Sequence, residues 1–176
     1  MSTPAAGHGK STRPGRAAGH RPEVFSELER AAWGGLIAIQ GGLMRRVAED
    51  LEQNSRLTHP EFEVLLRLSW RPDRRARIQD LAGQSHLTRS GMSRVVERLE
   101  RKGLVTRSRA MEDGRGANAE LTPAGADRLA GAARHHIAFV RRQFLSRFRD
   151  EELRTLAALL ARANEASRTD QNADHM

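Results

Sequence analysis

Residues 87–104 run Leu-Thr-Arg-Ser-Gly-Met-Ser-Arg-Val-Val-Glu-Arg-Leu-Glu-Arg-Lys-Gly-Leu, a segment whose helical start and stop are both written into the chain. Thr88 is placed to cap the helix N-terminus, with Leu87 and Met92 in the two staple positions. Gly103 falls where a helix ends on a left-handed residue, and Leu104 is spaced to pack back on Leu99. Between these limits Met92, Val95, Val96 and Leu99 form one apolar stripe at helical spacing. At 100° per residue, Ser90, Ser93, Arg94, Glu97 and Arg101 lie opposite that stripe, with Arg89 and Arg98 on its flanks. A helix over 88–102 therefore offers one face to a core and a hydroxyl- and guanidinium-bearing face to something else.

The flanking chain fits around it. Before it, Leu57-Thr58-His59-Pro60-Glu61-Phe62 carries a capping box, Thr58 with Glu61, and opens a helix that continues through Leu65, Leu66 and Leu68 and stops before Pro72. A short helix follows from Ile78 to Ala82. After it, Leu104–Arg109 alternates weakly like a strand, 111–119 is a charged loop with two glycines, and Ala119–Leu121 returns, which predicts a two-stranded hairpin. Thr122-Pro123 then caps a helix running to about Arg149, with Leu129, Ala133, Ile137, Val140, Phe144 and Phe148 on one face. Asp150 reads as the N-cap of a last helix with Leu153, Leu156, Leu160 and Ala163 inward. At the front, Phe25, Leu28, Ala32, Leu36, Ile39, Leu43, Val47 and Leu51 predict one long helix from Val24 to about Glu52, weakened by Gly34, Gly35, Gly41 and Gly42. The fold class expected is mainly α with a small β-hairpin. Residues 1–22 read as a disordered basic tail, 23–165 as the folded domain, and 166–176 as a frayed end. Within the domain, 23–56 and 123–165 are the outer helices and 58–121 the inner lobe.

Charge is concentrated. The chain of 176 residues has a formal net charge of +8. Residues 1–22 hold Lys10, Arg13, Arg16 and Arg21 and no acid, and residues 71–115 hold twelve basic and six acidic groups. A local positive field is what a polyanion requires, although a solubilising surface has the same composition. A short helix, a turn, a second helix and a hairpin make a winged helix-turn-helix. Short hydroxyls at the start of the second helix let its backbone approach a groove floor. Arg94, one turn in, reaches base edges.

The stretches "LTHPEFEVLLRL", "IQDLAGQSHLTRSGMSRVVERLERKGLVTR", "EDGRGANAELTPAG" and "ELRTLAALLAR" together resemble the MarR (multiple antibiotic resistance regulator) family of winged helix-turn-helix regulators, over about Phe25 to Arg162. The resemblance implies a homodimer with interleaved terminal helices, acting as a repressor on double-stranded DNA. It implies contacts from Thr88, Arg89, Ser90, Ser93, Arg94 and Arg98, and a wing in which Asp113 orients Arg115 into the minor groove. On the residues alone, a turn ion pair between Asp113 and Arg115 is the favoured reading. It further implies release by a small aromatic or anionic effector. Trp33, His59 and Arg67 are candidates to line that site, with Trp33 as plain core the alternative.

Other classes are set aside on specific grounds. With no Cys in the chain, disulfides, thiolate catalysis, cysteine zinc sites and the thiol switch of the peroxide-sensing branch of the family are excluded. No Ser-His-Asp motif, phosphate loop or His-Glu-x-x-His is present, so no enzyme is expected. His135 and His136 are adjacent rather than four apart, a poor metal pair, and no cofactor is expected. No apolar run is long enough to span a membrane and no secretory signal opens the chain, so the expected compartment is the cytoplasm. The rival reading is a non-specific DNA-architectural protein working through its basic tail and the 71–115 patch.

Overall fold

The computed structural model describes residues 24–85, 87–109 and 116–173, with side chains in the last stretch described to Glu165. The described residues form two compact units, one ending at Leu36 and one beginning at Ile37. The boundary falls within the first helix, α1, Glu27–Ser55. Ser26 and Glu29 make a reciprocal cap there: the Ser26 N–H donates to Glu29 Oε2 at 2.8 Å and the Glu29 N–H to Ser26 Oγ at 3.3 Å. These bonds, the backbone one foremost, hold the Glu29 carboxyl below its ordinary pKa. In the N-terminal unit Val24, Phe25, Leu28 and Trp33 are exposed.

In the second unit α1 buries Val47 and Leu51 and ends at Ser55, where Arg56 turns the chain through a left-handed conformation at φ 53°. Helix α2, His59–Ser69, starts on the expected capping box, with both hydrogen bonds formed. Strand β1, Arg75–Arg77, leads directly into α3, Ile78–Gly83. Helix α4, Arg89–Arg101, is capped by Thr88, whose Oγ1 accepts the Gly91 N–H at 3.1 Å. Strands β2, Val105–Arg109, and β3, Ala117–Leu121, follow. Helix α5, Pro123–Gln143, and helix α6, Asp150–Ala173, are joined through a 3-10 turn at Leu145–Arg147.

The stop of α4 has the expected form. Gly103 lies at φ 70°, its N–H donates to Glu100 O at 2.8 Å, and the Leu104 N–H donates to Leu99 O at 2.9 Å, the paired bonds of a Schellman end. Met92, Val95, Val96 and Leu99 enter the core with Leu57, Phe62, Leu65, Leu68, Leu81 and Val105. Thr122 then ties α5 to this corner. Its N–H donates to Leu104 O at 3.2 Å, and its Oγ1 donates to Gly103 O at 2.8 Å while accepting the Gly125 N–H at 3.0 Å. A methyl group on Gly125 would sit 2.0 Å from Leu104 O and 2.8 Å from Leu121 Cδ1.

The structure departs from several of these expectations. The hairpin is part of a three-stranded antiparallel sheet in the order β1-β3-β2, with Arg75 opposite Glu120 and Val105 opposite Leu121. Arg-Ala-Arg has neither strand propensity nor apolar alternation, and β1 exists because β3 pairs with it. Helix α5 stops at Gln143 instead of near Arg149, with no Gly or Pro to mark the place. There the Phe144 and Phe148 rings pack edge to face at 5.2 Å and Arg147 Nε donates to the open Gln143 carbonyl at 2.9 Å. Its buried stripe runs through Leu129, Ala132 and Phe139, leaving Ile137 exposed. Helix α6 runs to Ala173. It starts at Asp150, with the Arg149 N–H held by Glu152 Oε2 at 2.8 Å. Leu160 on it is exposed, contrary to the inward placement expected.

Gly125→Ala should lower the unfolding free energy by roughly 2–3 kcal/mol in a urea titration, because the added methyl meets backbone that cannot yield. Gly131→Ala, where a methyl meets nothing within 4 Å, should be neutral or slightly stabilising in the same titration.

Candidate nucleic-acid interface

Helix α4 turns its apolar stripe inward and leaves Thr88, Arg89, Ser90, Arg94, Glu97 and Arg101 exposed, with Ser93 half-buried. The hydroxyls of Thr88 and Ser90 lie 3.1 Å apart at the helix start. This face has the chemistry to meet a duplex: small polar groups where the backbone must come close, cations one turn further along, and helix N–H groups aimed at a phosphate. Across the sheet, Arg75 Nη2 donates to Ser108 Oγ at 3.2 Å, joining the two outer strands. Arg107 and Arg109 are exposed on β2. Asp113 and Arg115 lie outside the described residues.

Arg98 is engaged within the protein. Its Nε donates to Glu61 Oε1 at 3.3 Å, and Lys102 Nζ donates to Glu61 Oε2 at 2.7 Å. Glu61 is 1% exposed. Burial pushes its carboxyl up, but hydrogen bonds from Lys102, the Thr58 N–H and Arg98, with the Lys102 charge, more than offset this and leave it below the ordinary glutamate range. The stability this brings is present above that range and is lost as the pH falls below it. From sequence spacing Glu61 reads as a capping residue. Its spacing to Leu65 and Leu68, one and two turns on, already put it on the buried face of α2.

Of the three effector candidates, Trp33 lies on α1 and His59 and Arg67 on α2. Trp33 is 54% exposed in the N-terminal unit. His59 and Arg67 lie at opposite ends of α2, about 12 Å apart along its axis, and Arg67 pairs with Glu63 at 3.4 Å. What the chain does gather near His59 is a group missed from sequence. His136 packs on Phe62 with ring centroids 5.0 Å apart. His135 Nε2 lies 3.2 Å from Asp50 Oδ1, which also accepts Asn54 Nδ2 at 3.2 Å. Asp50 Oδ2 is buried without a partner among the described residues. Burial, and then the charge of His59, lower the His136 pKa, with Asp50 opposing. Among the described residues no group of three or more His, Asp or Glu is placed to hold a metal ion, and no helix is long and apolar enough to cross a membrane.

The MarR family model matches residues 57–116, from just before the α2 cap to the residue before β3. AbsC, a MarR family transcriptional regulator from Streptomyces coelicolor, is 31% identical, with 84% of this chain and 99% of AbsC covered at a TM-score of 0.77. The chain belongs to the MarR family. Sco3205, a second MarR family regulator from Streptomyces coelicolor, crystallised in complex with DNA, is 29% identical over 82% of this chain and 91% of its own, also at 0.77. The organohalide-sensing regulator RdhR-CbdbA1625 in its 2,4-dichlorophenol-bound form shares the fold at a TM-score of 0.69 and 18% identity, covering 86% of this chain and 89% of its own. No match is found among curated protein sequences. Membership puts this MarR protein among transcriptional regulators rather than enzymes.

A histidine whose folded pKa is lowered stabilises the fold at pH above the ordinary histidine value, and that contribution is lost as the pH falls through it, because the unfolded chain then takes up the proton first. The melting temperature should therefore fall between about pH 8 and about pH 5.5. His136→Phe, which keeps a ring against Phe62, should fall less over the same range when both are followed by circular dichroism at one protein concentration.

Proposed function

We propose that this MarR protein is a sequence-specific DNA-binding regulator, a homodimeric repressor that leaves a pseudo-palindromic operator when a small aromatic or anionic effector binds. The observation that carries the reading is α4: a helix terminated at both ends by its own sequence, anchored on one face and exposing Arg89, Ser90 and Arg94 on the other. The likeness to a family member crystallised with DNA supports it. Thr88, Arg89, Ser90, Ser93 and Arg94 are the major-groove contacts in this reading. Asp113 and Arg115 form the wing contact, with the guanidinium in a narrow minor groove. The site of action is the cytoplasm.

The homodimer rests on apolar surface that one chain leaves open. Ile37, Ile39 and Met44 on α1, Ile137 on α5, and Leu159 and Leu160 on α6 are all exposed. An apolar hollow of about 360 Å³ between α1 and the α5 end, lined by Ile39, Gly42, Leu43, Phe144 and Phe148 among others, is open beside them. A two-fold pair would set its two α4 helices about 34 Å apart, one turn of duplex. For the effector, Trp33, His59 and Arg67 remain the proposed lining, and the fold-mate holding 2,4-dichlorophenol is in keeping with an aromatic ligand. The basic residues 1–22 favour a second reading, an architectural protein with little sequence preference.

Fluorescence anisotropy against DNA upstream of its own gene and against a scrambled duplex, at two salt concentrations, separates the readings. A specificity ratio of about 10³ that persists at higher salt supports the operator-binding regulator. Equal and steeply salt-dependent affinity for both duplexes supports the architectural protein. Arg94→Ala should cost about 1–3 kcal/mol on the cognate duplex and relax base preference there. Removing residues 1–22 should flatten the salt dependence while sparing the specificity ratio in the same assay.

A further inference from the structure

We propose that Glu61 sets the rotation of α4 about its own axis through Arg98 and Lys102, which makes Arg98 a positioning residue rather than a DNA contact. The proposal rests on the reading of α4 as the recognition helix. Arg98 and Lys102 are one helical turn apart on the same flank of α4, and a single buried carboxylate of α2 takes both, at 3.3 and 2.7 Å. Two grips along one flank fix both rotation and axial position. The same carboxylate is held from behind by the Thr58 N–H at 2.9 Å, so it is anchored to the first turn of α2. Lys102 Nζ also donates to Arg56 O at 3.1 Å, at the left-handed turn that ends α1.

The apolar stripe of α4 cannot do this alone, because burial of apolar area has no direction. A rotation of about 20° moves a side chain roughly 6 Å from the helix axis by about 2 Å, whereas base-edge hydrogen bonds tolerate only about 0.5 Å. Arg94 lies one turn before Arg98 on the same helix, so any slack at Arg98 appears at Arg94. A buried charge with two cationic partners is also a poor choice for stability alone, since an apolar replacement of similar volume commonly does as well. Its directional bonds are what an apolar side chain lacks.

The test uses the full chain, a cognate duplex selected by the protein from randomised DNA, and a scrambled duplex, with anisotropy and urea unfolding measured on each variant. In Glu61→Gln the capping role is kept, since Gln also serves at that position, and the charge is removed. The expected result is a loss of about tenfold or more on the cognate duplex, with scrambled-duplex affinity within about twofold. Arg98→Ala should give the same pattern, and the double variant should be no worse than Glu61→Gln alone, because that change already removes the Arg98 contact. Lys102→Met, at the half-exposed end of the clamp, should repeat the cognate-only loss and serves if Glu61→Gln does not fold. A folded Glu61→Gln with an unchanged specificity ratio overturns the proposal. So does an Arg98→Ala that weakens both duplexes alike and lowers the salt slope by about one in either background, the mark of a phosphate contact. Equal affinity of the unmodified protein for both duplexes would overturn the regulator reading itself, and the positioning role with it.

Discussion

The left-handed turn at Gly103 is the constraint on which the rest of the second unit leans. It ends α4, and the two bonds it allows carry the chain directly into β2. The next residue, Leu104, gives its carbonyl to the Thr122 N–H, and Thr122 bonds the Gly103 carbonyl through its side chain. Helix α4, strand β2 and helix α5 thus meet at two consecutive residues. Gly125 is needed because α5 passes so close to this corner that no side chain fits between them. A change in where α4 ends therefore also changes where the wing starts and how α5 approaches.

Much of this was legible in the sequence because helix ends are local chemistry. Thr58 with Glu61, Thr88, Gly103 with Leu104, and Thr122-Pro123 each act within a few residues, and each works in the structure as the sequence suggests. The expectations that failed depend on distant partners. Strand β1 has no signal of its own and exists through its ladder with β3. The Asp50–His135 contact joins residues 85 apart in the chain, and the Lys102–Glu61 contact residues 41 apart. Neither spacing leaves a periodic trace. The end of α5 was hidden for another reason: packing of Phe144 on Phe148 stops it where no helix-breaking residue stands.

The same distinction applies to the candidate site. The exposed face of α4 could be read from a helical wheel, since Arg94 and Ser90 need only the helix to be placed. The role of Arg98 could not, because on the wheel it is simply a flanking cation and only the fold brings Glu61 beneath it. The effector candidates show the limit most clearly. Arg67 has the chemistry to meet an anionic effector, and in the fold it also pairs along its own helix with Glu63. A residue's type suggests what it can bind, while its neighbours across the fold decide whether it is available.

The order β1-β3-β2 puts the return strand of the wing in the middle of the sheet, hydrogen-bonded on both edges. The base of the hairpin is thus tied to β1, which leads directly into α3. The smallest portion that can be transplanted between relatives therefore runs from Thr58, so as to include Glu61 beneath α4, to Leu121. A graft beginning at Thr88 would carry α4 and leave behind both the carboxylate that grips it and the strand that pairs with β3.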